Sequence, residues 1–305
     1  MLDLLLLIAS IIMLWKGSGW LVDSAARIGR KFELSDLTIG LTIVAFGTSA
    51  PEFAVSISAA ISGNSNISIG NVVGSNIFNL GFILGGCAMI SALKTNPRVV
   101  YRDGTLLIIT TLALVFFLYD SHMARWEGMV LLGGLIGYLA LLFSKKEPVD
   151  EEEIPGGMAT WKDIPLLLLG ILAVAAGGHL LVDSASNIAR FLGVSEWVIA
   201  VTIVAAGTSA PEFATSLMAA ARGKAGMSLG NLIGSDLFNL LGVLGVAGII
   251  RPMTVTGSSF SSVVMLVGMC VVVVVFLRTG WKLSRWEGAI LVVLGLIRWI
   301  LDFLH

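Results

Sequence analysis

One seven-residue sequence, GTSAPEF, occurs twice in this chain, at residues 47–53 and again at 207–213. Each copy places a glutamate, two hydroxyl side chains and a proline inside an apolar segment that is long enough to span a bilayer. A charged side chain near the centre of a bilayer costs about 2.5–3.5 kcal/mol on insertion scales. Proline in a helix interior removes one backbone hydrogen bond and collides with the preceding turn. The chain has a buried charge and an interior proline at both of these matching positions. We therefore expect the two stretches to be functional.

The composition is that of a helical membrane protein. Of the 305 residues, 56% are hydrophobic and 13% are charged, and the mean hydropathy is +0.94. A soluble domain carries about 25% charged residues. The apolar runs at 106–118 and 263–277 are continuous, unlike the alternating segments of a β-barrel. The net charge of −1 gives no indication of nucleic-acid binding, and both cysteines lie in apolar runs, which is typical of buried small hydrophobic residues.

The apolar segments predict ten spans, since a spanning helix needs about 20 mostly apolar residues. The first lacks a basic start and a clear cleavage site, so we interpret it as a retained span and not as a signal peptide. The spans cover roughly residues 2–20, 36–62, 66–92, 104–119, 126–143, 164–184, 196–221, 226–250, 261–277 and 286–304.

The chain repeats itself at a fixed offset of 160 residues. LVDSA at 21–25 returns at 181–185, and RWEG at 125–128 returns at 285–288. Self-similarity at one fixed period indicates that a single unit has been duplicated and fused.

The repeat divides the chain into residues 1–143, a polar linker at 144–162, and residues 163–305. Each repeat contains five predicted spans, and an odd number means that the second repeat enters the membrane from the opposite side. The predicted fold is an all-α integral membrane protein with ten transmembrane helices, arranged as two inverted five-helix repeats. Such repeats are related by a pseudo-two-fold axis in the membrane plane, and they recur in secondary transporters.

The distribution of basic residues predicts the orientation. With ten spans, 15 of the 19 lysines and arginines fall on one side and four on the other. Basic residues accumulate on the cytoplasmic side. We therefore expect a multi-pass protein of the plasma (inner) membrane, with both termini outside and the 144–162 linker in the cytoplasm.

Oxygen atoms are concentrated at the repeated motif. In a helix, Thr48 and Ser49 lie four and three residues before Glu52 and share its face. Pro51 leaves the Gly47 carbonyl without its usual N–H partner. Hard cations such as Na⁺ and Ca²⁺ take oxygen ligands, and irregular backbone at membrane depth is tolerated where it lines a site. The candidate ligands are Ala45 (through its carbonyl), Thr48, Ser49, Glu52 and Ser56, and in the second copy Ala205, Thr208, Ser209, Glu212 and Ser216.

Polar stripes with a spacing of four residues follow both motifs. The stripes are Asn71, Ser75 and Asn79 in the third span, and Asn231, Ser235 and Asn239 in the eighth. Hydrogen bonds between packed helices are an equal alternative for the stripes taken alone; the neighbouring glutamates favour ion ligands. Small residues on the same helices allow close approach to neighbours: Gly70, Gly74, Gly230 and Gly234.

Asp236 is a secondary candidate. It follows Ser235 at a position where the first repeat has the neutral Asn76. Because it lies about 100° around the helix from Ser235, its side chain is not expected to point directly into a cavity that the stripe faces.

Two buried carboxylates that face one cavity repel each other. One divalent cation, more than one monovalent cation, or a proton relieves this repulsion. A site built from Glu52 and Glu212 is therefore suited to exchanging Ca²⁺ for Na⁺ or H⁺. These ions are cargo, and we expect no cofactor.

The two blocks, GTSAPEF followed by GNVVGSNIFN and by GNLIGSDLFN, resemble the repeats of the sodium/calcium exchanger family, within the Ca²⁺/cation antiporter superfamily. The likeness covers nearly the whole chain and is closest to the compact prokaryotic exchangers. It implies four central ion sites between spans two, three, seven and eight, with spans one and six sliding to alternate access. For Ca²⁺ it implies Glu52 and Glu212 with the carbonyls of Thr48 and Thr208. For Na⁺ it adds the side chains of Ser49, Ser75, Ser209 and Ser235 and the carbonyls of Ala45 and Ala205, with Asn79 lining the middle site.

One position departs from the family pattern. Several exchangers have an aspartate at the position of Asn239, and in the K⁺-dependent branch that residue is associated with K⁺. Here the acid stands three residues earlier, at Asp236. This departure argues against K⁺ dependence and leaves the stoichiometry open.

The sequence thus predicts a K⁺-independent Na⁺/Ca²⁺ antiporter that works by alternating access and needs only one chain and a lipid bilayer. An H⁺ antiporter for Ca²⁺ or another divalent cation is the nearest alternative, and a cation channel is a remote one. The four core serines favour Na⁺, since proton coupling needs only the carboxylates. An intramembrane hydrolase is disfavoured because no histidine accompanies both copies of the serine, so we expect no enzymatic activity.

Overall fold

The computed structural model describes residues 2–144, 159–195, 199, 202–203, 205–255 and 257–304. It is mostly helical, and each described helix overlaps a predicted span. The helices are α1 Leu2–Lys31, α2 Asp36–Thr48, α3 Ala50–Ile61, α4 Ser65–Ile90, α5 Val99–Phe117, α6 Arg125–Ser144, α7 Asp163–Phe191, α8 Ala205–Gly207, α9 Ala210–Ala221, α10 Ala225–Ile250, α11 Gly257–Arg278 and α12 Arg285–Leu304.

Seven described helices are long and apolar enough to cross a membrane: α1, α4, α5, α6, α7, α10 and the stretch Phe260–Trp281, which includes most of α11. The bent pair α2–α3 makes an eighth if it forms one span. Large apolar side chains are exposed along these helices, as expected for a surface that contacts lipid. The chain is therefore a multi-pass membrane protein. These helices do not by themselves establish ten spans, because predicted span 196–221 lies partly outside the described residues and α12 is not among the candidates.

Helices α1 and α5 extend beyond the predicted spans 2–20 and 104–119. Helix α1 continues past residue 20 to Lys31, because its polar last turns have partners: Arg27 Nε donates to Asp163 Oδ1 at 2.6 Å, and Asp23 pairs with Arg222. Helix α5 begins at Val99 with a π-helical turn, five residues before the predicted start at 104.

The motif prolines lie at a helix break. Ser49, with φ −80° and ψ 6°, separates α2 from α3, and the two axes differ by 50°. Pro51 lies in the first turn of α3, where a missing N–H costs nothing. Ser209, with φ −88° and ψ 9°, has the same place before α9 and Pro211. Although the axis bends at Ser49, residues 48, 49 and 52 are all buried, and the hydroxyls of Thr48 and Ser49 both lie within hydrogen-bonding reach of Glu212.

π-Helical turns occur at the last residue of each polar stripe. One covers Asn79–Ile83 in α4, and the other covers Phe238–Val243 in α10 and includes Asn239. Such bulges add a residue to the turn and often mark functional sites. They also shift the side chains that follow away from the positions that an ideal helix predicts.

The all-α prediction misses four short strands. Strand β1 (Leu93–Lys94) pairs antiparallel with β4 (Lys282–Leu283), and β2 (His122–Met123) pairs with β3 (Met253–Thr254). Two-residue strands leave no periodicity in the sequence. Since residues 93–94 match 253–254 in the repeat, each strand pairs with the one that is not its own repeat counterpart.

Helices α1 and α7 form a tightly packed antiparallel pair. Arg27 near the end of α1 contacts the start of α7, and Asn187 near the end of α7 donates to Asp3 at the start of α1 at 3.0 Å. A Cβ added at Gly17 would lie 2.8 Å from the Cβ of Ala173. Glycine therefore sets the close approach of the two helices.

Helices α4 and α10 are the most enclosed. In the most apolar 18-residue window of each, 67% and 78% of the residues are buried, whereas the value for α7 is 22%. The polar stripes therefore lie on the two central helices, next to the breaks at Ser49 and Ser209.

Candidate ion-binding site

The two motif glutamates are each bonded by a serine from the other repeat. Ser49 Oγ donates to Glu212 Oε1 at 3.1 Å, and Ser209 Oγ donates to Glu52 Oε1 at 3.4 Å. Glu52 is 1% exposed and Glu212 is fully buried. Contacts that exchange in this reciprocal way are those of a two-fold relation. The breaks in the two repeats therefore meet at one place.

Five buried oxygen atoms at this place have no hydrogen-bond partner among the described residues. They are Glu52 Oε2, Glu212 Oε2, Asn79 Oδ1, Asn239 Oδ1 and Asp236 Oδ2. A buried carboxylate oxygen without a partner is costly unless a cation or a proton compensates it. Within the described ranges no three His, Cys, Asp or Glu side chains cluster closely enough to hold a metal on their own. The donor set is mixed, with carboxylate, amide and hydroxyl oxygens, which suits hard cations.

Thr48 is enclosed by the second polar stripe. Its Oγ1 lies 3.2 Å from Asn231 Oδ1, 3.4 Å from Ser235 Oγ and 3.3 Å from the carbonyl oxygen of Ala45. The Ala45 carbonyl also accepts the N–H of Ser49 at 3.0 Å. Thr48 has one hydroxyl proton, which can go to the Ala45 carbonyl or to Asn231 Oδ1. When it goes to Asn231, the Ala45 carbonyl keeps one lone pair that an ion can use.

The first residue of each stripe joins neighbouring helices. Asn71 Nδ2 donates to Ser56 Oγ, and Asn231 Nδ2 donates to Ser216 Oγ, both at 2.9 Å. These bonds tie α4 to α3 and α10 to α9 in the same way. The packing alternative thus accounts for the amide groups of the two outer asparagines, while Ser75 and Ser235 are buried further along the stripes.

Asp236 lies against the first stripe, although its helical angle did not predict this. Its Oδ1 accepts from Asn79 Nδ2 at 3.0 Å, and its backbone carbonyl accepts from Asn76 Nδ2 at 3.1 Å. Asn239 Nδ2 donates to Asn76 Oδ1 at 3.1 Å. Sequence reasoning missed Asn76 as a member of the site. Its position as the repeat counterpart of Asp236 was the signal that could have identified it.

The glycines of α10 pack closely against α2. Gly230 and Gly234 are buried, and a Cβ at Gly234 would lie 2.7 Å from Leu41 Cα. The residues that correspond to this part of α2 in the second repeat, 196–204, lie mostly outside the described residues. The predicted close approach is therefore confirmed at Gly230 and Gly234, and it stays a prediction at Gly70 and Gly74.

The polar residues beside these glycines are buried with them. Thr48 and Asn231 are both fully buried. The site is thus sealed where α2 packs on α10.

Comparison with known proteins gives one consistent result. The family model described as sodium/calcium exchanger protein matches residues 2–144 and 162–297. The sodium/calcium exchanger MaX1 of Methanosarcina acetivorans is 32% identical, over 95% of each chain. The inner membrane protein YrbG of Escherichia coli is 30% identical, over 97% of this chain and 94% of its own. A solved structure of the sodium–calcium exchanger NCX_Mj is 33% identical and superposes with a TM-score of 0.86 over 97% of each chain. The chain therefore belongs to the sodium/calcium exchanger family, whose members here are membrane antiporters and not enzymes.

Proposed function

We propose that this protein exchanges Ca²⁺ for Na⁺ across a membrane by alternating access, without K⁺. The observation that carries the proposal is the pair of buried glutamates, each with one oxygen bonded by a serine of the other repeat and one oxygen without a partner. One Ca²⁺ balances both carboxylates, and so does more than one Na⁺. Since both ions use the same oxygens, the site holds one or the other.

The hydroxyl groups favour Na⁺ over H⁺ as the counter-ion. A proton needs only a carboxylate, whereas Na⁺ needs several oxygen ligands. Ser49 and Ser209 each donate a hydrogen bond to a glutamate oxygen. Their own oxygens retain lone pairs that a cation can use. An H⁺/Ca²⁺ antiporter on the same fold stays the nearest alternative.

The residue assignment follows from this proposal. Ca²⁺ is bound by the two glutamates and the carbonyls of Thr48 and Thr208. Na⁺ additionally uses serine hydroxyls, amide oxygens of the stripes and carbonyls at the helix breaks. These further ligands are Ser49, Ser75, Ser209, Ser235, Asn79, Asn239 and the carbonyls of Ala45 and Ala205. One chain contains both glutamates, so a monomer suffices.

The strand pairing supports ten spans in two inverted repeats, 1–143 and 163–305. In that arrangement the loop after the third span of one repeat lies on the same side as the loop after the fourth span of the other. The pairs β1–β4 and β2–β3 are the ones that this requires. Repeats of the same orientation would bring β1 to the side of β3 instead.

With both termini outside and the 144–162 linker on the cytoplasmic side of the plasma membrane, the start of α4 faces outside and the start of α10 faces inside. The buried Gly230 and Gly234, packed on α2, then close the site toward the cytoplasm. The complementary state requires α1 and α7 to slide together past the central helices.

The test is uptake of radioactive Ca²⁺ into proteoliposomes under an outward gradient of Na⁺, H⁺ or K⁺. We expect uptake with Na⁺ alone, and its loss in both Glu52→Gln and Glu212→Gln. Glu33→Gln, at an exposed glutamate between α1 and α2, is the matched control and retains uptake. Uptake driven only by H⁺ would move the protein to the proton-coupled alternative. Uptake that survives the site variants would contradict the site.

A further inference from the structure

The carboxylate of Asp236 is buried with half of its acceptor capacity unused. Its Oδ1 accepts from Asn79, whereas its Oδ2 has no hydrogen-bond partner. Throughout the described residues no lysine or arginine forms an ion pair with it. A buried carboxylate that lacks a counter-charge is strongly destabilising. A cation or a proton is therefore expected at Asp236 in the working protein.

The groups around Asp236 supply oxygen atoms. The amide nitrogens of Asn79 and Asn239 are used in hydrogen bonds to Asp236 and Asn76, which leaves the oxygens of both amides without partners. Asn79 and Asn239 also lie in the two π-helical turns. Three unpartnered oxygens from two central helices are therefore held by a network in which every amide N–H₂ group has an acceptor.

This charge does not belong to the duplicated pair of glutamates. The repeat counterpart of Asp236 is the neutral Asn76, so the first repeat contributes no second carboxylate here. Asp236 nevertheless lies within electrostatic range of Glu212. A cation bound at Asp236 therefore weakens the repulsion between these carboxylates and couples the two places.

We propose that Asp236 Oδ2, Asn79 Oδ1 and Asn239 Oδ1 bind one Na⁺ at a site of their own that adjoins Glu52 and Glu212. This inference rests on the proposed exchange of Na⁺ for Ca²⁺. It assigns one of the Na⁺ ions in that exchange to Asp236. One carboxylate with neutral amide oxygens balances a single positive charge. A divalent ion here would leave one charge uncompensated in the interior, whereas the paired glutamates balance it fully.

The experiment measures Ca²⁺ uptake by the full-length protein in proteoliposomes as a function of the driving Na⁺ concentration. In Asp236→Asn we expect the half-saturating Na⁺ concentration to rise about tenfold, the effect of removing one charged ligand. The Hill coefficient for Na⁺ falls, because one of the coupled sites is lost. The half-saturating Ca²⁺ concentration changes by a smaller factor, under about threefold.

Two further variants separate ligation from structural support. In Asp236→Asn combined with Asn239→Asp, the carboxylate returns to another ligand position of the same site, and Na⁺ dependence is expected to recover to within about threefold of the wild type. Asp183→Asn, at an exposed aspartate of α7 that pairs with His179, is the control and leaves the Na⁺ dependence unchanged.

An unchanged Na⁺ dependence in Asp236→Asn would overturn the proposal. So would an equal loss of Na⁺ and Ca²⁺ affinity that the double variant does not rescue, because that is the result of a structural defect. A third result would also overturn it: in Asp236→Asn, the K⁺ dependence of Ca²⁺ uptake changes and the Na⁺ dependence does not. Wild-type protein that takes up no Ca²⁺ under a Na⁺ gradient would instead contradict the proposed function, so the two failures are distinguishable.

Discussion

At the residue scale, the site depends on serines that act across the repeat boundary. Ser49 follows α2 of the first repeat but bonds Glu212, and Ser209 bonds Glu52 in return. Each hydroxyl offers its proton to a carboxylate and keeps lone pairs for a cation. Removing one hydroxyl therefore has two effects. The glutamate loses a hydrogen-bond donor, and a bound cation loses an oxygen ligand.

The first prediction concerns these serines. In Ser49→Ala and in Ser209→Ala we expect the half-saturating Na⁺ concentration for Ca²⁺ uptake to rise about tenfold, since a hydrogen bond to a charged group contributes about 1.5–3 kcal/mol. Ca²⁺ affinity falls less, because the carboxylates remain. The control is Ser62→Ala, at an exposed serine after α3. Undiminished transport in the double variant would count against both serines as ligands.

The duplicated motif is enough to identify the buried glutamates and the polar residues around them from sequence. The partners of these residues could not be predicted, because hydrogen bonds between Ser49 and Glu212 depend on how two distant segments meet. The contact of Asp236 could not be predicted for the same reason. Its angle on an ideal helix pointed it away from the stripe of its own helix, but its hydrogen bond with Asn79 depends on how α10 packs against α4.

At the scale of elements, two ion pairs hold the face where the end of α9 meets α1 and α2. Arg222 at the end of α9 pairs with Asp23 of α1, and Lys224 pairs with Asp36 of α2 at 3.1 Å. The repeat counterparts of Arg222 and Lys224 are Ser62 and the neutral Asn64. The sealed side of the site is therefore held by two ion pairs whose cations have no counterpart in the first repeat.

The second prediction is that these pairs favour the closed state of the sealed side. Exchanging Arg222→Ser and Lys224→Asn inserts the residues of the first repeat. The first change breaks a partly exposed pair, worth about 0–1 kcal/mol, and the second removes the cation next to the buried Asp36. We therefore expect the open population on this face to rise several-fold. Spin labels on cysteines introduced at the exposed Phe32 and Ala221 report the distance between the two turns. Asp183→Asn, the counterpart change to Asp23, leaves the distance distribution unchanged. An unchanged distribution in the double variant would show that the pairs do not hold this face.

The third prediction concerns the glycine contact between α1 and α7. Gly17→Leu forces the helices apart at a point where even a Cβ would lie 2.8 Å from Ala173. Overpacking of this kind costs about 1–3 kcal/mol, so we expect a lower melting temperature in detergent and slower transport. Gly133→Leu on α6, where a Cβ meets nothing within 4 Å among the described atoms, leaves both unchanged. Equal melting temperatures for the two variants would contradict the close contact.

Helix positions were largely predictable, since apolar length alone places most of them. The helix ends were not: α1 runs eleven residues beyond its predicted end at residue 20, because Asp23 and Arg27 find partners on α9 and α7. The strands were not predictable either, since pairs of two residues have no period. The break at Ser49 was expected from Pro51.

At the scale of the whole molecule, two similar repeats form one site that is not fully symmetric. The reciprocal serine–glutamate bonds and the matched Asn71–Ser56 and Asn231–Ser216 bonds follow the repeat. The ion pairs at Arg222 and Lys224, and Asp236, depart from it. Alternating access needs both properties: a common site that either side can reach, and two states that differ in which side is sealed.

The central claim is that Na⁺ and Ca²⁺ compete for one site made by both repeats. Equilibrium binding of radioactive Ca²⁺ to the purified protein, titrated with NaCl, tests this claim most directly. We predict complete and cooperative displacement of Ca²⁺ by Na⁺ in the wild type, and loss of Ca²⁺ binding in Glu52→Gln and in Glu212→Gln alike. Ca²⁺ binding that is insensitive to Na⁺, or that survives removal of either glutamate, would contradict a shared site.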